Sequence, residues 1–357
     1  MDWNLIAFSL IKIVCVILPL MGMVAYSVLA ERKISAMIQD RIGPNRAGPG
    51  GIWQPIADGV KSFLKEDFTP AHVRKVYFWL APGLTMIPAL LTVAIIPFGS
   101  NLGAQKMVIA DLNVGILYTF GIVSLGVYGI VLAGYAANSK YPFLGGIRSS
   151  AQMISYEVAM GLSVIPVFLL VGNLNLSAVI NYQTGRFADP ATGELVRQTS
   201  SLFHWMIFKQ PLAFAIFLVA AFAETNRLPF DLPESEQELV GGYNTEYSSM
   251  KFALFFMGEY ANLIAASAMM VTLFFGGWTL PWFGLDQPAA AGEWLRGLTQ
   301  IGIVLGKVGV LIAFVIWVRW MLPRFRFDQL MDIGWRRFIP LALAYIVVTA
   351  LVLWLRV

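Results

Sequence analysis

Eight apolar runs, most of them long enough to cross a bilayer, constrain this chain more than any other feature. They cover residues 5–29, 77–98, 113–137, 151–172, 207–224, 252–276, 299–319 and 338–355. About 20 apolar residues cross the hydrocarbon core as a helix. A helix also satisfies its own backbone hydrogen bonds, which lipid cannot do. The expected fold class is an all-α integral membrane protein with about eight transmembrane helices, forming a single polytopic domain over 1–357. The fifth run is short, so its start is the least defined. Composition agrees: 58% of residues are hydrophobic and 13% are charged, against about 25% charged in soluble domains. The N-terminus, MDWNLIAF, lacks a basic n-region and a cleavage site, so the first run is expected to be retained.

Lysines and arginines set the orientation. The odd-numbered loops hold 17 of them and the even loops and tails hold 6, with Lys12 and Lys307 inside spans. The positive-inside rule then places the odd loops in the cytoplasm and both termini on the other side of the membrane. Trp79, Trp205, Trp278, Trp320, Trp335 and Trp354 lie near span ends, as interfacial anchors do. A net charge of +4 sits in loops beside apolar spans and does not point to nucleic acid. One cysteine, Cys15, allows neither an internal disulfide nor an iron–sulfur cluster. His72 and His204 have no metal-ligand spacing. No metal or flavin is expected on this chain, and any redox metal would sit on a partner.

Between the fifth and sixth runs lies a dense acidic segment. From 224 to 247 it carries Glu224, Asp231, Glu234, Glu236, Glu238 and Glu246 against one base, Arg227. Carboxylates at a bilayer edge are costly unless they meet water, cations or protons. Asp231-Leu232-Pro233-Glu234 also reads as a capping box with proline in the first turn, and Gly241-Gly242 as a helix stop. Capping accounts for two acids and not six. Glu157, Glu224 and Glu259 lie in or beside spans, on the cytoplasmic half by the orientation above. Such acids either exchange protons or join helices. Lys12 reads as a snorkelling side chain. Lys307 lies deeper, as a proton or ion element or as a packing residue.

The first cytoplasmic loop, roughly 30–76, opens with Glu31-Arg32-Lys33 after an apolar helix and continues through Arg41-Ile42-Gly43-Pro44-Asn45-Arg46. It is either a basic membrane-surface loop or the mouth of a cavity for a polar-headed ligand. Trp53–Glu66 sets Ile56, Val60, Phe63 and Leu64 apart from Asp58, Lys61, Lys65 and Glu66. That pattern predicts an amphipathic surface helix, which also suits a lid over an entrance. The last cytoplasmic loop, Arg319–Arg337, alternates cations with aromatics and holds Asp328 and Asp332. It is either positive-inside signal, a docking surface for a soluble partner, or another cavity wall.

Five stretches together resemble one family: the membrane subunit of respiratory complex I (NADH:quinone oxidoreductase) called H in bacteria and subunit 1 in mitochondria. They are ERKISAMIQDRIGPNRAGPGG (31–51), ADGVKSFLKED (57–67), SYEVAMGL (155–162), AETNRLPFDLPESEQELVGGYNTEYSSMKFALFFMGEY (223–260) and LPRFRFDQLMDIGW (322–335). The eight-run layout fits as well. The resemblance implies a quinone chamber and a proton-pumping NADH:quinone reductase that needs this chain without placing a redox centre on it. The substrate would be a quinone, ubiquinone or menaquinone.

By that resemblance, Glu31, Arg32, Lys33, Arg41 and Arg46 would flank the channel mouth. Asp58, Lys61, Arg227, Glu238, Arg324 and Arg326 complete the expected quinone-channel set. Glu157, Glu224, Asp231, Glu234, Glu236, Glu246 and Glu259 would couple quinone chemistry to protons. Partners would be soluble quinone-module and iron–sulfur subunits on the cytoplasmic side, small membrane-arm subunits, and the bilayer of a bacterial inner membrane. Two alternatives stand beside this. One is a membrane subunit of an energy-converting hydrogenase, which shares the fold without quinone. The other is a lone cation/proton antiporter, which the span acids allow but which lacks a visible repeat.

Overall fold

The structure is a computed structural model that describes residues 3–102, 105–188, 195–197, 201–232, 240–282, 285–289 and 293–355. In chain order its helices are α1 (Trp3–Ile38), α2 (Gln54–Leu64), α3 (Lys75–Thr92), α4 (Gly115–Ala136), α5 (Lys140–Val171), α6 (Leu176–Gln183), α7 (Met206–Lys209), α8 (Pro211–Glu224), α9 (Ser249–Phe274), α10 (Trp294–Met321), α11 (Phe327–Asp332) and α12 (Ile339–Trp354). Two antiparallel ribbons, Asn101–Leu102 with Gln105–Lys106 and Arg186–Ala188 with Leu195–Arg197, lie in connections. Among the described residues, seven helical stretches are long and apolar enough to cross a membrane: Phe8–Ile38, Lys75–Ile95, Gly115–Ala136, Lys140–Val171, Ser249–Phe274, Trp294–Met321 and Phe327–Trp354. α8 is a further apolar helix. Its 14 residues reach about 21 Å, short of a ~30 Å hydrocarbon core.

Several expected boundaries move. The first helix runs on to Ile38, so Glu31-Arg32-Lys33 lie within it and not at its end. Successive helical residues point about 100° apart, and the three side chains part company. The fourth span begins at Lys140 and not near 151. Hydropathy hides its first turns because Arg148, Ser149 and Ser150 interrupt the apolar run. Gly145 is needed there, since a Cβ would lie 2.9 Å from the backbone nitrogen of Tyr243. Glu157 is therefore in mid-helix. The last helical stretch starts at Phe327 and passes through a π-helical turn, Ile333–Phe338, into α12. The expected loop 319–337 shrinks to 322–326. The amphipathic helix is borne out as α2, with Ile56, Val60, Phe63 and Leu64 exposed and no residue buried.

α3 packs on α4, α4 on α5, and α5 on α8 and α12. α9 packs on α3, α10 and α1, and α1 also packs on α10. The central core joins Tyr156, Val164, Phe217, Ala220, Ile264, Val271 and Val308. α9 is the most enclosed of the spans, and the first and last expose most of their surface. Polar anchors fix the connections. Gln152, fully buried on α5, donates to the carbonyls of Ala223 (2.6 Å) and Phe230 (2.7 Å). It thereby pins the turn that follows α8. Tyr156 donates to Leu330 O at 2.9 Å, and Trp335 Nε1 to Ser155 Oγ at 3.0 Å. These bonds seat the π-helical turn on α5.

The α3–α4 connection has its own centre at Asp111. It accepts from Lys106 Nζ (2.6 Å), Asn175 Nδ2 (2.8 Å) and Ser177 Oγ (3.4 Å). Burial alone pushes this carboxyl up, but the three donors and the lysine charge outweigh it and hold it below the usual aspartate range. A depressed folded-state pKa means stability that is present above the unfolded value and lost as pH falls through the folded one. Asp111→Asn should therefore cost about 0.5–1 kcal/mol near neutrality. The gap to the parent protein should close below about pH 4, as read from thermal unfolding across pH.

A buried cluster of charge beside a cavity

Arg227 sits just beyond the C-terminal end of α8, in the turn that Gln152 holds. Its Nη1 donates to Glu31 Oε2 at 2.9 Å, and its Nε lies 3.1 Å from Glu259 Oε1. The second contact is an ion pair without the alignment of a hydrogen bond. Tyr260 lies beneath the guanidinium, 4.2 Å from ring centre to Cζ. Its hydroxyl donates to Glu31 Oε2 at 2.5 Å. Arg319, at the end of α10, completes the group by donating to Glu31 Oε1. Three helices and a turn thus bring two carboxylates, two guanidiniums and a phenol together. Glu31 and Arg227 are buried. Buried charges persist only when paired and hydrogen-bonded; Glu31 meets that condition with three donors, whereas Glu259 is held by an ion pair. The cation on Arg227 is held against loss of its proton chiefly by Glu259 and Glu31, which outweigh its burial.

A second pair flanks the first. Arg324 Nη2 donates to Asp231 Oδ2 at 3.2 Å. Phe325 N donates to Pro229 O, and its ring stacks on Phe230 at 5.5 Å. The short 322–326 segment is therefore a wall over the start of the acidic segment. Burial pushes the Asp231 carboxyl above the usual aspartate range, with Arg324 and Arg319 opposing.

Beside the cluster lies a cavity of about 1020 Å³. It is bounded by α1, the 41–44 turn, α2, the first half of α9 and the end of α10. Met21, Val24, Val28, Phe252, Phe256 and Met257 give it an apolar part. Glu31, Arg32, Arg41, Asp58, Lys61 and Arg319 give it a charged one. Ligand sites are typically apolar clefts with a few placed polar groups. Asp58 accepts from Arg32 at 2.7 Å and pairs with Lys61 at 3.5 Å, which ties α2 to α1. Ser249 Oγ donates to the carbonyls of Ser62 (2.9 Å) and Lys65 (2.8 Å), which ties the other end of α2 to α9. Lys33 turns away and donates to Gly50 O. The loop there is tightly wound. Gly51 has φ +80°, and a Cβ would lie 2.1 Å from Pro44 O.

On the far side of Arg227, Glu224 and Glu259 line one small void of about 20 Å³ with Thr225, Asn226 and Asn262. That is room for one water. Glu157 on α5 is near enough to Glu224 for the two carboxylates to repel. Glu224 Oε2 is buried and has no hydrogen-bond partner among the described residues.

The expected site residues thus divide. Glu31, Arg32, Arg41, Asp58 and Lys61 line the cavity. Arg227 and Glu259 join Glu31, and Arg324 joins Asp231. Glu157 and Glu224 stand behind them. Arg46 is exposed and outside the cavity lining. Arg326 is exposed and pairs with Asp328 at 3.2 Å, and Glu246 lies 3.9 Å from His72. Neither is brought to the cluster. Glu234, Glu236 and Glu238 lie outside the described residues, as does the expected helix they would occupy. Sequence reasoning missed two members, Tyr260 and the cluster role of Arg319. Their signals were adjacency to Glu259 and a cation ending an apolar helix. Among the described residues, no group of three or more His, Cys, Asp or Glu side chains is placed to hold a metal.

Fold and site together define a multi-pass membrane protein built around a large amphiphilic cavity backed by buried carboxylates. A profile of the family described as NADH dehydrogenase matches residues 11–350. NADH-quinone oxidoreductase subunit 8 of Rhodothermus marinus is 49% identical over 91% of this chain and 91% of its own length. The NADH-quinone oxidoreductase H subunit of Paramagnetospirillum magneticum is 48% identical over 98% of this chain and 93% of its own. An H subunit of the same enzyme from Cytophaga hutchinsonii is 46% identical over 91% and 90%. The chain belongs to the NADH dehydrogenase family, among the H subunits of NADH-quinone oxidoreductase. These relatives carry neither the hydrogenase nor the antiporter name.

Proposed function

We propose that this chain forms the membrane side of the quinone chamber in a proton-pumping NADH-quinone oxidoreductase. The cavity of about 1020 Å³ receives the quinone, either ubiquinone or menaquinone. Its apolar part takes the tail and its charged part meets the head group. The observation that carries this reading is the position of the charged wall, back to back with buried carboxylates. Glu31 lines the cavity, and Glu224 and Glu259 line the water-sized void behind it. A change of charge on the quinone alters the proton affinity of acids within a few ångströms. Protons then move along Glu259, Glu224 and Glu157, with Asp231, Glu234, Glu236 and Glu238 as further members of the path. Arg324 balances Asp231.

In this reading the odd-numbered loops face the cytoplasm and both termini face away from it. Soluble quinone-module and iron–sulfur subunits dock over α2 and the 322–326 wall, and small membrane-arm subunits cover the outer spans. Electrons come from the partners, and this chain supplies binding and proton coupling.

The test is a pull-down of the tagged chain from native membranes, assayed for NADH-driven quinone reduction with and without a quinone-site inhibitor. Glu259→Gln and Glu234→Gln are then compared with the parent. Each should lower reductase activity and proton pumping by tenfold or more, a loss of about 1.4 kcal/mol, in a complex that still assembles. Normal pumping in both variants would sink the proposal.

A further inference from the structure

Arg227 links the cavity wall to a buried carboxylate beyond it. Nη1 holds Glu31 and Nε faces Glu259, while Nη2 is buried with no hydrogen-bond partner among the described residues. Glu31 has two further donors, Tyr260 and Arg319. Arg227 is the ion-pair partner seen for Glu259. The two arginines differ in access. The Arg319 side chain is 35% exposed and lines the cavity, whereas that of Arg227 is 6% exposed. Of the two, Arg319 is therefore the one an anion in the cavity reaches.

We infer that Arg227 is a positioning residue shared by Glu31 and Glu259, and that charge in the cavity decides which of them it serves. The inference rests on the cavity being the quinone chamber. An anionic head group draws Arg319 away from Glu31. Glu31 then leans on Arg227, and Glu259 loses its counter-charge. A buried carboxylate without a partner takes up a proton, because burial penalises only its charged form. When the cavity charge disappears, Arg319 returns to Glu31 and Arg227 to Glu259, which then releases the proton. No atom has to travel from the cavity to the path. Only the pairing of two guanidiniums changes. The fork geometry matters, since a lysine is a single point charge and cannot present separate nitrogens to two acids.

The experiment uses the complete complex in proteoliposomes, with the parent chain, Arg227→Lys, Glu31→Gln and Glu259→Gln. Two quantities are read: protons moved per NADH oxidised, and the infrared difference spectrum between oxidised and reduced quinone in the carboxylic-acid carbonyl region. The band missing in Glu259→Gln belongs to Glu259. In Arg227→Lys that band should stop following quinone reduction, and the proton-to-NADH ratio should fall at least twofold. Glu31→Gln removes the competitor for Arg227, so Glu259 should stay ionised and the band should again be silent. This second variant decides the matter if Arg227→Lys does not assemble. A band that responds in either variant as in the parent overturns the inference about Arg227. If the parent itself shows no Glu259 band, the carboxylate path under Proposed function fails, and this inference fails with it.

Discussion

Arg227→Met is expected to prevent the complex from accumulating. The substitution keeps much of the side-chain volume and removes the charge, leaving Glu31 and Glu259 buried within one cluster. Glu31 retains Tyr260 and Arg319, but Glu259 loses its ion-pair partner. Removing one member of a buried pair costs about 3–5 kcal/mol, a large fraction of the stability of a typical domain. Proton uptake by Glu259 offsets part of this, so the loss should be smaller at acidic pH. Native gels of membranes would show the assembled complex falling to a small fraction of the parent level. Pairing Arg227→Met with Glu259→Gln should restore much of it, because the uncompensated charge is then gone. Equal loss in the single and double variants would mean that the guanidinium matters for shape and not for charge.

Lys307→Met should be nearly as severe, for a different reason. The last carbonyls of a helix have no partner within it. After α9 the chain turns through Gly276 (φ +73°) and Gly277 (φ +54°). The Lys307 ammonium reaches across from α10 and donates three times: to Phe275 O at 2.7 Å, Gly277 O at 2.9 Å and Thr279 O at 2.7 Å. It also sits 4.5 Å from the ring centre of Trp205. All three of its donors are thus occupied. Methionine fills the space and leaves the carbonyls unmet, at about 2–4 kcal/mol. The thermal midpoint of the purified complex should drop by several degrees. Of the two roles open for Lys307 from sequence, this geometry favours the packing one. A variant of parental stability that has lost pumping would reverse that assignment.

The membrane class, the span count to within one short helix, and the amphipathic α2 were all legible in the sequence. Each depends on hydropathy or on a period of 3.6, which are local properties of the chain. Helix ends were less legible. α1 and α5 extend well past their apolar runs because polar and glycine-rich turns stay helical once neighbouring segments supply contacts, as Gly145 does against Tyr243. The Glu31-Arg32-Lys33 triplet stood out in the sequence, but its three side chains go to three destinations. Their directions follow from a helix that continues to Ile38.

Sequence alone was enough to read that this chain lives in a membrane and that it has more carboxylates than helix capping accounts for. Hydrophobic transfer and charge desolvation act residue by residue, so composition along the chain is enough to read them. Which carboxylate meets which cation is a matter of packing. Glu31 and Arg227 are 196 residues apart in sequence, and Glu31 and Arg319 are 288 apart. An ion pair depends on a few ångströms of separation, and that distance is set by how α1, α9, α10 and the turn after α8 pack together. No local pattern in the chain records it.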